Sequence, residues 1–264
     1  TIRKHAPADT ITLVGDEPEP PYSRMAIPYL LIGNIQEAGT YLRKSAAHFA
    51  NLRITQVGAK ATKVDAAART VALDNGQTLK FDRLLIATGS HPVRPPIPGM
   101  DLPGVHPCWT LEDARNIMKL AQPGARVLQM GAGFIGCIIM EALKQRGVEL
   151  SVVEMGDRMV PRMMGPTAGG MIKDWCETKG VKVYTGTKVE AIEAASAAPA
   201  GGGGVIGKIA SALGLGGGEP QGSGRGLRVK LGNGQTVEAD LVISATGVRP
   251  AIGFLKDSGI TCLL

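Results

Sequence analysis

The sequence predicts an α/β fold of two related domains, each a parallel sheet with a β-hairpin or meander excursion. Three observations carry that expectation. A stretch around Asn75-Gly76 recurs around Asn233-Gly234. Each copy leads into a short apolar run that stops at a Thr-Gly pair, as a buried strand stops at a tight turn. A Gly-x-Gly-x-x-Gly loop at 131–136 stands between a strand pattern and a helix pattern.

Residues 1–5 read as the last turn of a helix, and Thr10-Ile11-Thr12-Leu13-Val14 as the next strand. That strand matches Glu149-Leu150-Ser151-Val152-Val153 at an offset of 139. In the second copy, a strand at 126–130, the glycine loop and a helix to about Arg146 come first. At the same offset the first copy's strand and glycine loop would fall before residue 1, so the chain reads as truncated.

Val57-Gly58-Ala59-Lys60 with Val64-Asp65 matches Thr185-Gly186-Thr187-Lys188 with Ile192-Glu193 at an offset of 128. Leu73-Asp74-Asn75-Gly76-Gln77-Thr78-Leu79 matches Leu231-Gly232-Asn233-Gly234-Gln235-Thr236-Val237 at 158. Each copy predicts a hairpin, because Asn-Gly accepts the positive φ of a tight turn. Each then predicts a buried strand, at 82–87 before Thr88-Gly89 and at 240–245 before Thr246-Gly247.

The last two offsets differ by 30 residues, an insertion at about 195–226 in the second copy. Its glycine runs at 201–204 and 216–218 read as a flexible surface extension. Residues 205–213 inside it are too short for a helix stable alone. Thr110-x-x-Asp113 predicts a helix N-cap, and 168–179 a further helix.

The glycine loop has the context a dinucleotide needs. Gly131 permits the tight turn, Gly133 lets a pyrophosphate approach the backbone, and Gly136 allows close helix–strand packing. Phe134 and Ile135 open the helix, whose N-terminal N–H groups and positive dipole end favour phosphate. Glu154 follows the first glycine by 23 residues, where an acid accepts from a ribose 2′-OH and repels a 2′-phosphate. That favours NADH over NADPH. Arg158, four residues later, stands where it could reach a phosphate and so softens the preference.

Two dinucleotide units that each close on Ala-Thr-Gly resemble the two-dinucleotide-binding-domain flavoproteins, the pyridine nucleotide–disulfide oxidoreductase superfamily. The motifs are Ala87-Thr88-Gly89-Ser90 with Pro92, the loop at 131–136 with Glu154, and Ala245-Thr246-Gly247-Val248-Arg249-Pro250. The resemblance implies two Rossmann-like domains, an FAD domain at 1–104 and 242–264 interrupted by an NAD(P) domain at 105–241. Val14-Gly15-Asp16-Glu17-Pro18, then Pro21-Tyr22-Ser23-Arg24, is similar to the rubredoxin reductase, ferredoxin reductase and nitrite reductase flavin-subunit branch.

In that branch the matching acid, Asp16, holds the FAD ribose, and the matching arginine, Arg24, lies beside the flavin. The branch's lysine five residues on is Tyr29 here, and the glutamate two residues after the third glycine is Ile138. The chain also stops at Leu264, before the family's Gly-Asp segment. The implied function is transfer of electrons from NAD(P)H through FAD to an iron–sulfur or rubredoxin-like acceptor.

Composition and cysteines set the rivals. Net charge is +6, but the basic residues are scattered and aromatics are 4%, which argues against nucleic acid. No uninterrupted apolar run reaches the length of a membrane span, and no apolar segment follows the N-terminus as in a signal peptide.

Cys108, Cys137, Cys176 and Cys262 form no CxxC pair, which argues against metal fingers and for a reducing, cytoplasmic setting. Thiol-dependent relatives carry a redox cysteine where Met25-Ala26-Ile27-Pro28-Tyr29 stands here, and methionine forms no mixed disulfide. Cys137 and Cys176 read as packed helix residues, Cys108 as a linker residue and His91 as a solvated loop residue. Met159, Met163 and Met164 read as packing. The rivals are therefore an inert NAD-binding module and a thiol-dependent disulfide or peroxide reductase.

Overall fold

A computed structural model describes residues 2–195 and 226–262. The predicted insertion, including 205–213, lies outside the described residues except for its two ends. The chain divides into two compact units: Thr1–His91 with Val248–Leu264, and Pro92–Gly247. No described helix is long and apolar enough to cross a membrane.

The first unit runs α1 (Ile2–His5), β1 (Ile11–Gly15), a 3-10 turn at Arg24–Ala26, α2 (Ile27–Ile32), α3 (Glu37–Thr40) and α4 (His48–Asn51). Then come β2 (Ile54–Gly58), β3 (Ala61–Asp65), β4 (Thr70–Leu73), β5 (Thr78–Lys80) and β6 (Ser90–Pro92). β1 and β2 pair in parallel with Ile11 opposite Ile54, and β3-β4-β5 forms an antiparallel meander. Val64, Val71 and Leu73 of the meander pack with Ala59 and Leu255.

One expectation fails here. Residues 82–87 form no strand, and Leu85 is 77% exposed. The physical reason is the missing neighbour. A strand needs a partner for its backbone N–H and C=O groups. In the second unit the equivalent strand pairs with the strand that precedes the glycine loop. The described residues of the first unit contain no counterpart of that strand.

The second unit runs β7 (Val105–Pro107), α5 (Leu111–Leu120), β8 (Arg126–Met130), α6 (Phe134–Gln145) and β9 (Glu149–Glu154). It continues with α7 (Pro166–Thr178), β10 (Lys182–Thr185), β11 (Val189–Ala194), β12 (Leu227–Leu231), β13 (Thr236–Ala239) and β14 (Leu241–Ser244). The chain then returns through β15 (Val248–Pro250), which pairs with β6.

Five strands form one parallel sheet in the order β10-β9-β8-β14-β7, which makes the fold α/β. β11-β12-β13 is an antiparallel meander in the same order as β3-β4-β5. Leu128, Met130, Val153 and Val242 of the parallel sheet pack on Val189, Ile192, Leu227 and Val229 of the meander.

Met100 belongs to that core, and β14 lies inside the parallel sheet. Residues 92–104 and 242–247, expected with the outer domain, therefore group with the second unit. α5 starts with a full capping box: Asp113 N–H donates to Thr110 Oγ1 at 3.2 Å, and Thr110 N–H to Asp113 Oδ2 at 2.8 Å. The box satisfies N-terminal donors that the helix itself leaves open.

Candidate nucleotide site

β8 ends at Met130, and the chain turns sharply through Gly131, whose φ is +94°. A Cβ there would come within 2.6 Å of the Ala245 carbonyl oxygen, so only glycine fits. Gly133 is the N-cap of α6, and a Cβ on it would meet nothing within 4 Å. A Cβ on Gly136 would lie 2.6 Å from the Gly131 carbonyl oxygen and 2.8 Å from Gln129 Nε2. Two glycines are thus dictated by crowding and one borders open space.

Phe134 and Ile135 open α6 and are 57% and 38% exposed. Their N–H groups belong to a helix start that has no intrahelical acceptor for them. An open cradle at Gly133, the start of a twelve-residue helix and a carboxylate nearby fit a dinucleotide pyrophosphate and its ribose.

That carboxylate is Glu154, the last residue of β9. Its Oε2 accepts from Ala132 N–H and its Oε1 from Gly156 N–H, each at 2.8 Å. Each oxygen has a second lone pair, so a ribose hydroxyl can still be received. Val160 adds a second tie: its N–H donates to the Ala132 carbonyl at 2.9 Å, from a φ of +49° that is costly for a β-branched residue.

Arg158 is tied to its own loop. Its guanidinium donates to the Met164 carbonyl at 2.9 Å, to Asp157 Oδ1 at 2.6 Å and to the Pro161 carbonyl at 3.3 Å. It braces the loop after β9.

Thr246 and Gly247 also stand differently from their expected place in the outer domain. Ala245 N–H donates to the Met130 carbonyl at 2.8 Å, and Thr246 Oγ1 to the Val93 carbonyl at 3.3 Å. This turn abuts the Gly131 end of the glycine loop. One residue that the sequence reading missed, Gln129, is fully buried and donates to the Gly131 carbonyl. Alternation gives only its face, opposite that of Leu128 and Met130, and packing shows that it is buried.

In the first unit, Asp16 is exposed directly after β1. Arg24 makes an ion pair with Glu17, donates to Tyr22 Oη at 3.2 Å and lies 5.5 Å from the Tyr22 ring centroid. Glu17 also accepts from Tyr22 Oη at 2.5 Å. Ala87, Thr88 and Gly89 are exposed; Thr88 Oγ1 donates to the Ala251 carbonyl at 2.8 Å, and Gly89 has a φ of +62°. No glycine loop ahead of a helix occurs among the described residues of this unit.

Three of the four thiols are biased toward the protonated form. Burial, aided by Asp113, pushes Cys108 up to about 12. Burial, aided by Cys176 and Glu154, pushes Cys137 up to about 11. Burial also raises Cys176. Met159 is fully buried, whereas Met163 is 64% exposed, so only the first of that group packs. No group of metal-ligating side chains occurs among the described residues.

The pyridine nucleotide-disulphide oxidoreductase family matches residues 1–263. The chain belongs to that family. Among its relatives, the rhodocoxin reductase of Rhodococcus erythropolis is 31% identical over 261 residues, 98% of this chain and 55% of the relative. The NADH-dependent phenylglyoxylate dehydrogenase subunit epsilon of Aromatoleum evansii is 29% identical over 259 residues, again 98% and 55%. The solved NAD-dependent persulfide reductase from A. fulgidus superimposes with a TM-score of 0.81 at 27% identity, over 98% of this chain and 45% of that one. The chain thus spans about half the length of the curated relatives it matches.

Proposed function

We propose that the chain is the dinucleotide-binding part of an FAD-dependent NAD(P)H oxidoreductase. It takes reducing equivalents from NADH and delivers them, without a redox cysteine, to a small iron–sulfur or rubredoxin-like protein in the cytoplasm. The observation that carries this reading is the cradle at Gly133 over the start of α6, with Glu154 beside it. In it Gly131, Gly133, Phe134, Ile135 and Gly136 hold the pyrophosphate, and Glu154 the ribose. Asp16, Arg24, Ala87, Thr88 and Gly89 are this chain's share of the FAD contacts.

Family membership supports the reading, as do relatives named as an NADH-dependent subunit and as a reductase of rhodocoxin. The raised thiols and Met25 support an electron path that bypasses cysteine.

The test is steady-state NADH oxidation with ferricyanide, on the whole protein, normalised to flavin. The variant has Cys108, Cys137, Cys176 and Cys262 all changed to Ala. Retained turnover is expected. Lost turnover with flavin and fold intact would revive a thiol mechanism.

A further inference from the structure

Gln129 is the one buried side-chain amide among the described residues, with no solvent exposure. It interrupts β8 between Leu128 and Met130, both buried in the core under the meander. Alternation puts Gln129 on the other face of the sheet, under the start of α6. There its Nε2 donates to the Gly131 carbonyl at 2.9 Å and to the Gly136 carbonyl at 3.1 Å. Its Oε1 is buried with no hydrogen-bond partner.

This is a poor way to stabilise a core. Burying an amide is costly unless it is hydrogen-bonded, and an orphaned buried acceptor adds to the cost. A methionine of similar size would satisfy the sheet face without that cost. What the amide does instead is fix the glycine loop. It joins the first and third glycines across the turn and, anchored on the helical Gly136 carbonyl, draws the Gly131 carbonyl toward the interior. An anion is repelled by carbonyl oxygen and attracted by N–H. A Gly131 carbonyl held inward leaves the N–H groups at the start of α6 as the polar face of the cradle. Glu154 and Val160 fix Ala132 between them, from its N–H and its carbonyl respectively.

We propose that Gln129 is a positioning residue for dinucleotide binding: its amide, anchored on the Gly136 carbonyl of α6, holds the Gly131 carbonyl out of the pyrophosphate cradle. The proposal rests on the reading that this loop binds pyrophosphate. It places a specificity for phosphate in a side chain that touches no ligand.

The experiment is calorimetric titration of the 264-residue chain with ADP-ribose, which carries the pyrophosphate. Adenosine, which reaches the Glu154 side but carries no phosphate, is the control, followed by NMR. Gln129→Met should bind ADP-ribose about tenfold more weakly, as expected for one or two lost hydrogen bonds. Adenosine binding should stay unchanged, and the melting temperature should be equal or higher.

ADP-ribose affinity within about twofold of the parent would overturn the proposal. So would parallel weakening of both ligands with a lower melting temperature, which marks a merely structural role. If the methionine variant does not fold, Gln129→Asn carries the same expectation, because the shorter amide cannot reach both carbonyls. Failure of the parent chain to bind ADP-ribose would refute the nucleotide reading itself, an outcome distinct from equal binding by parent and variant.

Discussion

Leu85 and Ile243 occupy the same place in the repeat, 158 residues apart, and meet opposite fates. Ile243 is fully buried in β14, between β8 and β7, while Leu85 is 77% exposed in a segment without strand pairing. The same contrast separates Leu13, 42% exposed, from Val152, fully buried. The hairpins behave otherwise. Gly76 and Gly234 both have a φ of +83°, and Leu73 and Leu231 N–H each donate across the turn at 2.9 Å. Turn chemistry is local, so it reproduces wherever its residues recur. Strand burial is borrowed from neighbouring strands, and it fails where a neighbour is lacking.

The largest expected effect sets the two strands against each other. Ile243→Ala should cost about 2–5 kcal/mol, as large-to-small changes in a filled core do. Leu85→Ala should cost less than about 0.5 kcal/mol, as exposed substitutions do. Denaturant unfolding of both variants measures this, and similar costs would show that the two copies are buried alike.

The thiols sharpen the same contrast, since three lie in the second unit and only Cys262, exposed, lies in the first. Cys137 is raised from an ordinary 9.0 to about 11, so near pH 8 its thiolate fraction falls about a hundredfold. Iodoacetamide should therefore modify Cys262 first, with mass mapping as the readout.

The sign for stability follows from the same shifts. Folded values above the unfolded ones favour the neutral thiol in the native state. That stability is full below pH 9.0 and is lost as pH rises toward about 12 for Cys108 and 11 for Cys137. Alkaline melting curves that do not fall in this window would contradict the burial of these groups.

A smaller effect concerns Glu154, whose counterpart in the repeat is Gly15. Glu154→Arg should move the ratio of NADH to NADPH affinity toward NADPH by about tenfold, the worth of one charged hydrogen bond. Fluorescence titration with the two nucleotides reads it, and an unmoved ratio would remove Glu154 as the ribose ligand. The smallest effect is one of equality. Gly76→Ala and Gly234→Ala should each cost about 1 kcal/mol, since both positions are left-handed and sterically open. Unequal costs would show that tertiary contacts, not the turn, set the hairpins.

What could be read from the sequence follows the same division. The glycine loop, both hairpins and the α5 capping box depend on residues a few positions apart, and they were legible. The strand at 82–87 was misread because its apolar run carries no sign of whether a partner strand exists. The bracing contacts of Arg158 were not legible because its partners are carbonyls of Pro161 and Met164, which leave no mark on composition. The unit boundaries shifted because Met100 and β14 are claimed by a core whose other members lie as far on as Ala239. Gln129 went unread because a single amide in an apolar strand looks like a solvated alternate, and only packing shows it inside.

The central claim is that the second unit carries a working dinucleotide cradle in which Gly133 borders the space for pyrophosphate. Calorimetric titration of NADH into the parent chain and into Gly133→Val tests it most directly. The parent should bind one equivalent. The variant should lose binding by at least about a hundredfold with its melting temperature nearly kept, because a side chain would enter open space where phosphate belongs. NADH binding that survives in Gly133→Val, or is absent from the parent chain, would contradict the account.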